Sequence, residues 1–164
     1  MSFTFTIRTL GVLAAVLLLT SCEILGLTIG ASGRRTELAR QRAKWSQQHI
    51  TAYRLTYRRD CFCGTEFTTP LEIEVRSGDI VMVRYAEGTG DVPTYVQANL
   101  PTVEALFTII DDAIERDADL LEVTYDASRG FPRRIAIDYR FNTADDELTH
   151  TVLTFEIILP PALP

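Results

Sequence analysis

Apolar and polar residues alternate with a period of two along much of this chain, and in a few stretches that period gives way to one near 3.6. From Thr51 onward, Tyr53, Leu55 and Tyr57 alternate with Arg54, Thr56 and Arg58, which predicts a half-buried strand. Phe67, Thr69, Leu71, Ile73 and Val75 alternate with Glu66, Thr68, Glu72, Glu74 and Arg76 and predict a second. Ser77-Gly78-Asp79 is a turn signal, and Ile80 to Tyr85 reads as the returning strand. A long connection follows from Ala86 to Pro101, punctuated by Gly88, Gly90 and Pro93. Thr102 then stands where a helix cap belongs, and Val103, Leu106, Phe107, Ile110 and Ile114 recur at helical spacing on one apolar face.

Three more strands are expected at Leu120–Asp126, Arg134–Phe141 and Glu147–Leu159, with turns at Asp126–Gly130 and Asn142–Asp146. Ile135, Ile137, Tyr139 and Phe141 share one face of their strand, and Leu153, Phe155, Ile157 and Leu159 one face of theirs. The prolines of the tail, Pro160, Pro161 and Pro164, stop the last strand. Upstream, the stretch from Thr36 to about Gln48 is rich in good helix formers, with a thin apolar face of Leu38, Ala39 and Trp45. Trp45 is expected to dock the end of that helix on the body. The order predicts an α+β domain: an antiparallel sheet of about six strands (βββ-α-βββ), a central helix packed on one face and an N-terminal helix.

The first residues change the picture of where such a domain resides. Arg8 is the only charge before the apolar run Gly11–Leu19, which ends in Leu19-Thr20-Ser21-Cys22. A short positive region, an apolar core and small residues before a cut site make a secretory signal peptide. The Leu-Thr-Ser-Cys ending resembles the lipobox of bacterial lipoproteins, in which the Cys sulfur is acylated and becomes residue one after cleavage. The alternative, an uncleaved membrane helix, would place Glu23 inside the apolar span, where an unpaired carboxylate is costly. The expected organisation is a signal peptide over residues 1–21, a lipid-anchored tether over 22–35 and one domain over 36–164. The expected location is the cell envelope, with the membrane contacted through lipid on Cys22. Glu23, rather than Asp, after the Cys resembles lipoproteins sorted to the outer membrane where two membranes exist.

The formal charge of the chain is −6, and loss of residues 1–21 removes only Arg8, leaving −7. An acidic domain is repelled by nucleic acid and by anionic membrane surfaces, so nucleic acid is not an expected partner. Of three cysteines, Cys22 belongs to the lipobox, and Cys61 and Cys63 remain in a compartment where disulfides persist. Residues two apart in an extended strand have Cα atoms ~6.6 Å apart, whereas a disulfide favours ~4.4–6.8 Å. A Cys61–Cys63 bridge therefore needs a bend. A structural disulfide is the preferred reading and a thiol–disulfide redox pair the alternative, although the pair lacks the C-x-x-C spacing that lowers a thiol pKa at a helix start. Both cysteines share parity with Tyr53, Leu55 and Tyr57, which points them toward the core.

Other chemistry is thin. His49 and His150 lie far apart in sequence and their spacing with the two cysteines fits no usual zinc pattern. Asn142, Asp145, Asp146 and Glu147 lack the EF-hand order and read as a polar turn. Asp138, between Ile137 and Tyr139, is expected to face outward or to pair with Arg134 or Arg140. No nucleophile elbow, phosphate loop or dinucleotide fingerprint is present in the sequence, and no cofactor or metal is implied. The long connection carries Tyr95, an amphipathic residue of a type enriched in interfaces, and is the expected contact surface.

The succession Trp45, Tyr53, Tyr57, Cys61-Phe62-Cys63, Pro101 to Phe107, Tyr125-Asp126, Gly130-Phe131-Pro132 and Ile137-Asp138 resembles a family of uncharacterised bacterial lipoproteins and secreted proteins, a domain of unknown function. The resemblance covers roughly Trp45 to Phe155. It implies the fold and the export and brings no activity with it. The expected function is an envelope lipoprotein that acts as a binding or interaction module toward an envelope protein or small ligand, more a binder than an enzyme.

Overall fold

The computed structural model describes residues 30–143 and 145–159. The expected signal segment, Cys22 and the proline tail lie outside the described residues. Among the described residues no helix is long and apolar enough to cross a membrane. The described residues from Arg35 onward fold as one unit.

Helix α1 spans Ala31–Ser46, β1 Ala52–Cys61, α2 Thr65–Thr68, β2 Leu71–Arg76 and β3 Asp79–Tyr85. Then come α3 at Thr94–Gln97, α4 at Val103–Glu115, β4 at Leu120–Tyr125, β5 at Pro132–Asp138 and β6 at Glu147–Ile157. All six strands form one antiparallel sheet in the order β3-β2-β1-β6-β5-β4. Two three-stranded meanders therefore join through their long strands β1 and β6. The α+β architecture expected from the hydrophobic pattern is the observed one, with α4 packed on one face of the sheet. Val103, Leu106, Phe107, Ile110, Ala113 and Ile114 of α4 are buried. Facing them are Tyr53, Leu55, Tyr57, Leu71, Ile73, Val75, Ile135 and Ile137 of the sheet, all buried.

Local chemistry accounts for the element ends. Ser77 (φ 52°) and Gly78 (φ 90°) both take the left-handed conformation that a two-residue hairpin between β2 and β3 requires. Thr102 caps α4 by accepting a hydrogen bond from the Ala105 amide at 3.2 Å. Asp126 Oδ1 accepts from the amides of Ser128 and Arg129, at 3.0 and 2.7 Å, and closes the β4–β5 turn. Gly130 completes that turn at φ 83°.

Several sequence expectations are corrected. The first helix starts at Ala31 rather than Thr36, and Gln41, not Ala39, joins Leu38 and Trp45 as a buried residue. Phe67 and Thr69 do not extend β2. Thr68 and Thr69 hydroxyls donate to the Thr65 carbonyl, at 3.2 and 2.7 Å, which winds the segment into α2, and the strand begins only after Pro70. β5 ends at Asp138, so Phe141 stands outside it and is exposed. Asp138 is buried rather than outward-facing, and its Oδ1 accepts from the Arg140 amide at 3.0 Å.

The shared face expected for Leu153, Phe155, Ile157 and Leu159 is interrupted. Tyr57 opposes Val152 and Thr56 opposes Thr154, so Leu153 is the extra residue of a β-bulge. The bulge turns Leu153 away from the core and lets His150 and Val152 face inward on one side of it and Phe155 on the other.

Candidate functional site

Two clusters lie at opposite ends of β1. At its start, Trp45 from α1, Tyr53 from β1, Phe131 before β5 and Phe155 from β6 pack together. Phe131 and Phe155 stack at 4.5 Å between centroids, and Trp45 meets Tyr53, Phe131 and Phe155 edge-on at 5.7, 6.1 and 5.7 Å. Every polar handle in this cluster is bound. Trp45 Nε1 donates to Glu104 Oε1 at 2.9 Å, and the Tyr53 hydroxyl donates to Glu104 Oε2 at 3.4 Å while accepting from the Val103 amide at 2.9 Å. Burial pushes the Tyr53 hydroxyl pKa well up, so it stays a neutral donor. Glu104 in the first turn of α4 thus ties α1, the sheet and α4 at one node.

Gly130 explains another part of the recurrent succession. A Cβ there would lie 2.8 Å from the Gln41 carbonyl, so only glycine admits α1 this close to the turn. Lys44 Nζ and Gln48 Nε2 donate to the Ala127 and Arg129 carbonyls at 2.6 and 2.9 Å and hold the helix there. The Trp, Tyr and Gly-Phe-Pro residues of the resemblance are therefore packing residues. Sequence reasoning missed Glu104, whose only signal was an acidic residue in the first turn of a helix.

Beside this node a cleft of about 520 Å³ opens between α1 and α4. Several of its polar groups are already engaged. Arg42 faces Asp111 at 3.7 Å across it, and Ser46 and Thr108 hydroxyls donate to carbonyls of their own helices. His49 lines it from the exposed side and does not meet His150. His150 is buried, with Nδ1 2.6 Å from the Tyr57 hydroxyl. Burial, with Arg59 as a second cause, brings its pKa down to about 4, so it is a neutral core residue.

The other end of β1 holds Cys61, Cys63 and Tyr95 of the sequence-predicted site residues. Cys61 and Cys63 form a disulfide, with Cα atoms 5.4 Å apart and the Cys63 amide donating to the Cys61 carbonyl at 2.9 Å. The expected bend is thus a tight turn of three residues. The expectation that both cysteines face the core is wrong: Cys61 is half-buried and Cys63 exposed, because β1 runs past the end of the core here. Between them, Phe62 points into solvent at 81% exposure. Tyr95, in α3, is 55% exposed, and its ring packs against Phe67 of α2 at 5.8 Å.

The long connection that carries Tyr95 is not a free loop. Val92 and Val96 are buried, Asn99 Nδ2 donates to the Tyr95 carbonyl at 2.8 Å, and Arg59 Nη2 donates to the Asn99 carbonyl at 2.6 Å. Arg58 pairs with Asp60 at 3.1 Å. Both arginines near the cysteines are therefore engaged elsewhere. Among the described residues no group of three or more His, Cys, Asp or Glu is placed to hold a metal ion.

Fold and site together define a single-sheet α+β domain whose surface disulfide presents an aromatic residue. The chain belongs to the family of unknown function DUF6174, which matches it over residues 37–157. No curated protein matches the chain, and no solved structure does.

Proposed function

We propose that this protein is an exported lipoprotein, held at a membrane through lipid on Cys22, whose domain is a binding module that docks a protein partner through the aromatic end of β1. The observation that carries the reading is Phe62, 81% exposed and clamped between two bridged cysteines. A large apolar side chain in water costs solubility, and a covalent clip on its backbone lowers the entropy lost when it enters a pocket. Phe67 and Tyr95 extend the same end with a second aromatic contact. The lipobox Leu19-Thr20-Ser21-Cys22 supports the anchoring.

The test is photo-crosslinking in cells from position 62, with and without Tyr95→Ser, and from position 95, with and without Phe62→Ser. A discrete crosslinked partner, lost with either substitution, is expected. No crosslink from position 62 beyond that seen from an exposed control such as Glu122 defeats the docking reading. Cys22→Ser is expected to abolish lipid labelling and membrane fractionation, and retention of both defeats the anchor.

A second reading, a thiol–disulfide protein, is favoured by the exposure of Cys63, which leaves the bridge open to an external thiol. A reduction potential near those of the oxidising periplasmic catalysts would support it, and one below about −300 mV marks the bridge as structural.

A further inference from the structure

β3 is a terminal strand, so among the described residues one of its edges has no strand beside it. Its central residues, Ile80, Val81, Met82 and Val83, are apolar, and its only charges are Asp79 and Arg84 at the flanks. An apolar strand edge is a template for pairing with another strand.

A bulge gives this edge an unusual symmetry. Val75 opposes Ile80 and Glu74 opposes Met82, so Val81 is the extra residue and is 54% exposed. Asp79 opposes Arg76 and Arg84 opposes Glu72, and both therefore lie on the charged face of the sheet. Ile80 and Val83 oppose Val75 and Ile73 and both lie on the core face. Read in either direction, the strand runs charged face, core face, two central residues, core face, charged face. Without the bulge Asp79 and Arg84 would fall on opposite faces.

The backbone has the same symmetry. The Ala86 amide donates to the Pro70 carbonyl, which fixes the phase of the β2–β3 ladder. Counting back from it by the alternation of an antiparallel pair, the backbone groups of Ile80 and Val83 face away from β2.

We propose that β3 pairs with β3 of a second copy of this chain, antiparallel about a two-fold axis between Val81 and Met82, and joins two six-stranded sheets edge to edge. In this register Asp79 opposes the partner's Arg84, and Arg84 opposes the partner's Asp79, on the charged face. Ile80 opposes the partner's Val83 on the core face, and the outward backbone groups of these residues complete the ladder. Asp79 has no ion pair among the described residues, and the Arg84 side chain is 61% exposed while it contacts Glu72 at 2.7 Å. An unrelated extended peptide would need no internal symmetry in the strand, whereas an isologous dimer requires it. The residues paired in the dimer, 79–84, include none of Phe62, Phe67 and Tyr95, so a dimer leaves the docking proposal standing or falling on its own test.

The experiment is sedimentation of the full chain in detergent across the micromolar range, with hydrogen exchange read at Ile80 and Val83. A concentration-dependent dimer is expected, with both amides gaining protection as it forms. Asp79→Arg or Arg84→Asp alone sets like charges opposite each other twice per dimer and should weaken association about tenfold or more. The double reversal Asp79→Arg with Arg84→Asp should restore it. Thermal melts of each variant show that the fold survives, and the exchange readout on the unmodified chain needs no variant. A chain that stays monomeric, a dimer indifferent to the single reversals, or amides unprotected in the dimer overturns the proposal.

Discussion

The two ends of β1 use the same kinds of residue to opposite effect. Eight residue steps, about 27 Å of extended chain, lead from Tyr53 to Cys61. At the Tyr53 end four aromatic rings are packed together, and the indole and hydroxyl of two of them are bound to one carboxylate. At the Cys61 end Phe62 stands in solvent, and what holds it is a covalent bridge rather than packing. The first end is part of the buried core. The second contributes little to it and keeps its apolar surface available. At the packed end the Trp45 indole and the Tyr53 hydroxyl are already bound to Glu104, which leaves neither over for a ligand.

The contrast can be broken at several points. Trp45→Ala removes the centre of the packed end and leaves Glu104 without its indole donor. Chemical denaturation should show a loss of about 3–5 kcal/mol, as should Phe107→Ala in the adjoining helix, and a loss under about 1 kcal/mol for either would contradict the layer arrangement. His150 makes the core sensitive to acid. Its folded pKa of about 4 lies below the ordinary 6.5, so the unfolded chain takes up the proton first. Stability is fully present above about pH 6.5 and falls toward pH 4, by at most about 3 kcal/mol. Urea titrations over that range should show the decline, and His150→Gln should flatten it.

Smaller effects sharpen the comparison. Gly130→Ala forces a Cβ against the Gln41 carbonyl at a positive φ and should cost about 1–3 kcal/mol. Replacing both Cys61 and Cys63 by Ser should cost about 1–2 kcal/mol, because so short a loop restrains little unfolded-chain entropy. The variant should fold, with melting as the check. Phe62→Ser should alter stability by no more than about 0.5 kcal/mol while removing partner capture, and a large destabilisation would mean that Phe62 is a structural residue.

Much of the fold was legible because local physics is written locally. The period of two marked β1, the period of 3.6 marked α4, Thr102 announced its cap and Ser77-Gly78 its hairpin. These signals depend on neighbours a few residues away, and the sequence alone was sufficient to predict six strands, a central helix and a bend between Cys61 and Cys63. Periodicity reports a face only while the register runs unbroken. The extra residue at Leu153 reverses parity within β6, and nothing in the composition of that strand marks where it falls, because the bulge is chosen by how β1 and β6 fit together.

The same reason places the two candidate sites. Parity alone sent Cys61 and Cys63 inward, but burial also depends on how far the core extends along β1, which is decided by the helices packed against it. The exposure of Tyr95 was legible in the long connection, yet its neighbour Phe67 was read as strand, since the two hydroxyls that wind α2 become decisive only with Pro70 closing the way back into the sheet. Glu104 was one acidic residue among many until α1 brought Trp45 and β1 brought Tyr53 to it. The sequence by itself determined which segments are strands and helices and which faces are apolar. Only the tertiary structure decided which distant residues meet, because that is settled by packing and strand register rather than by the preferences of any one segment.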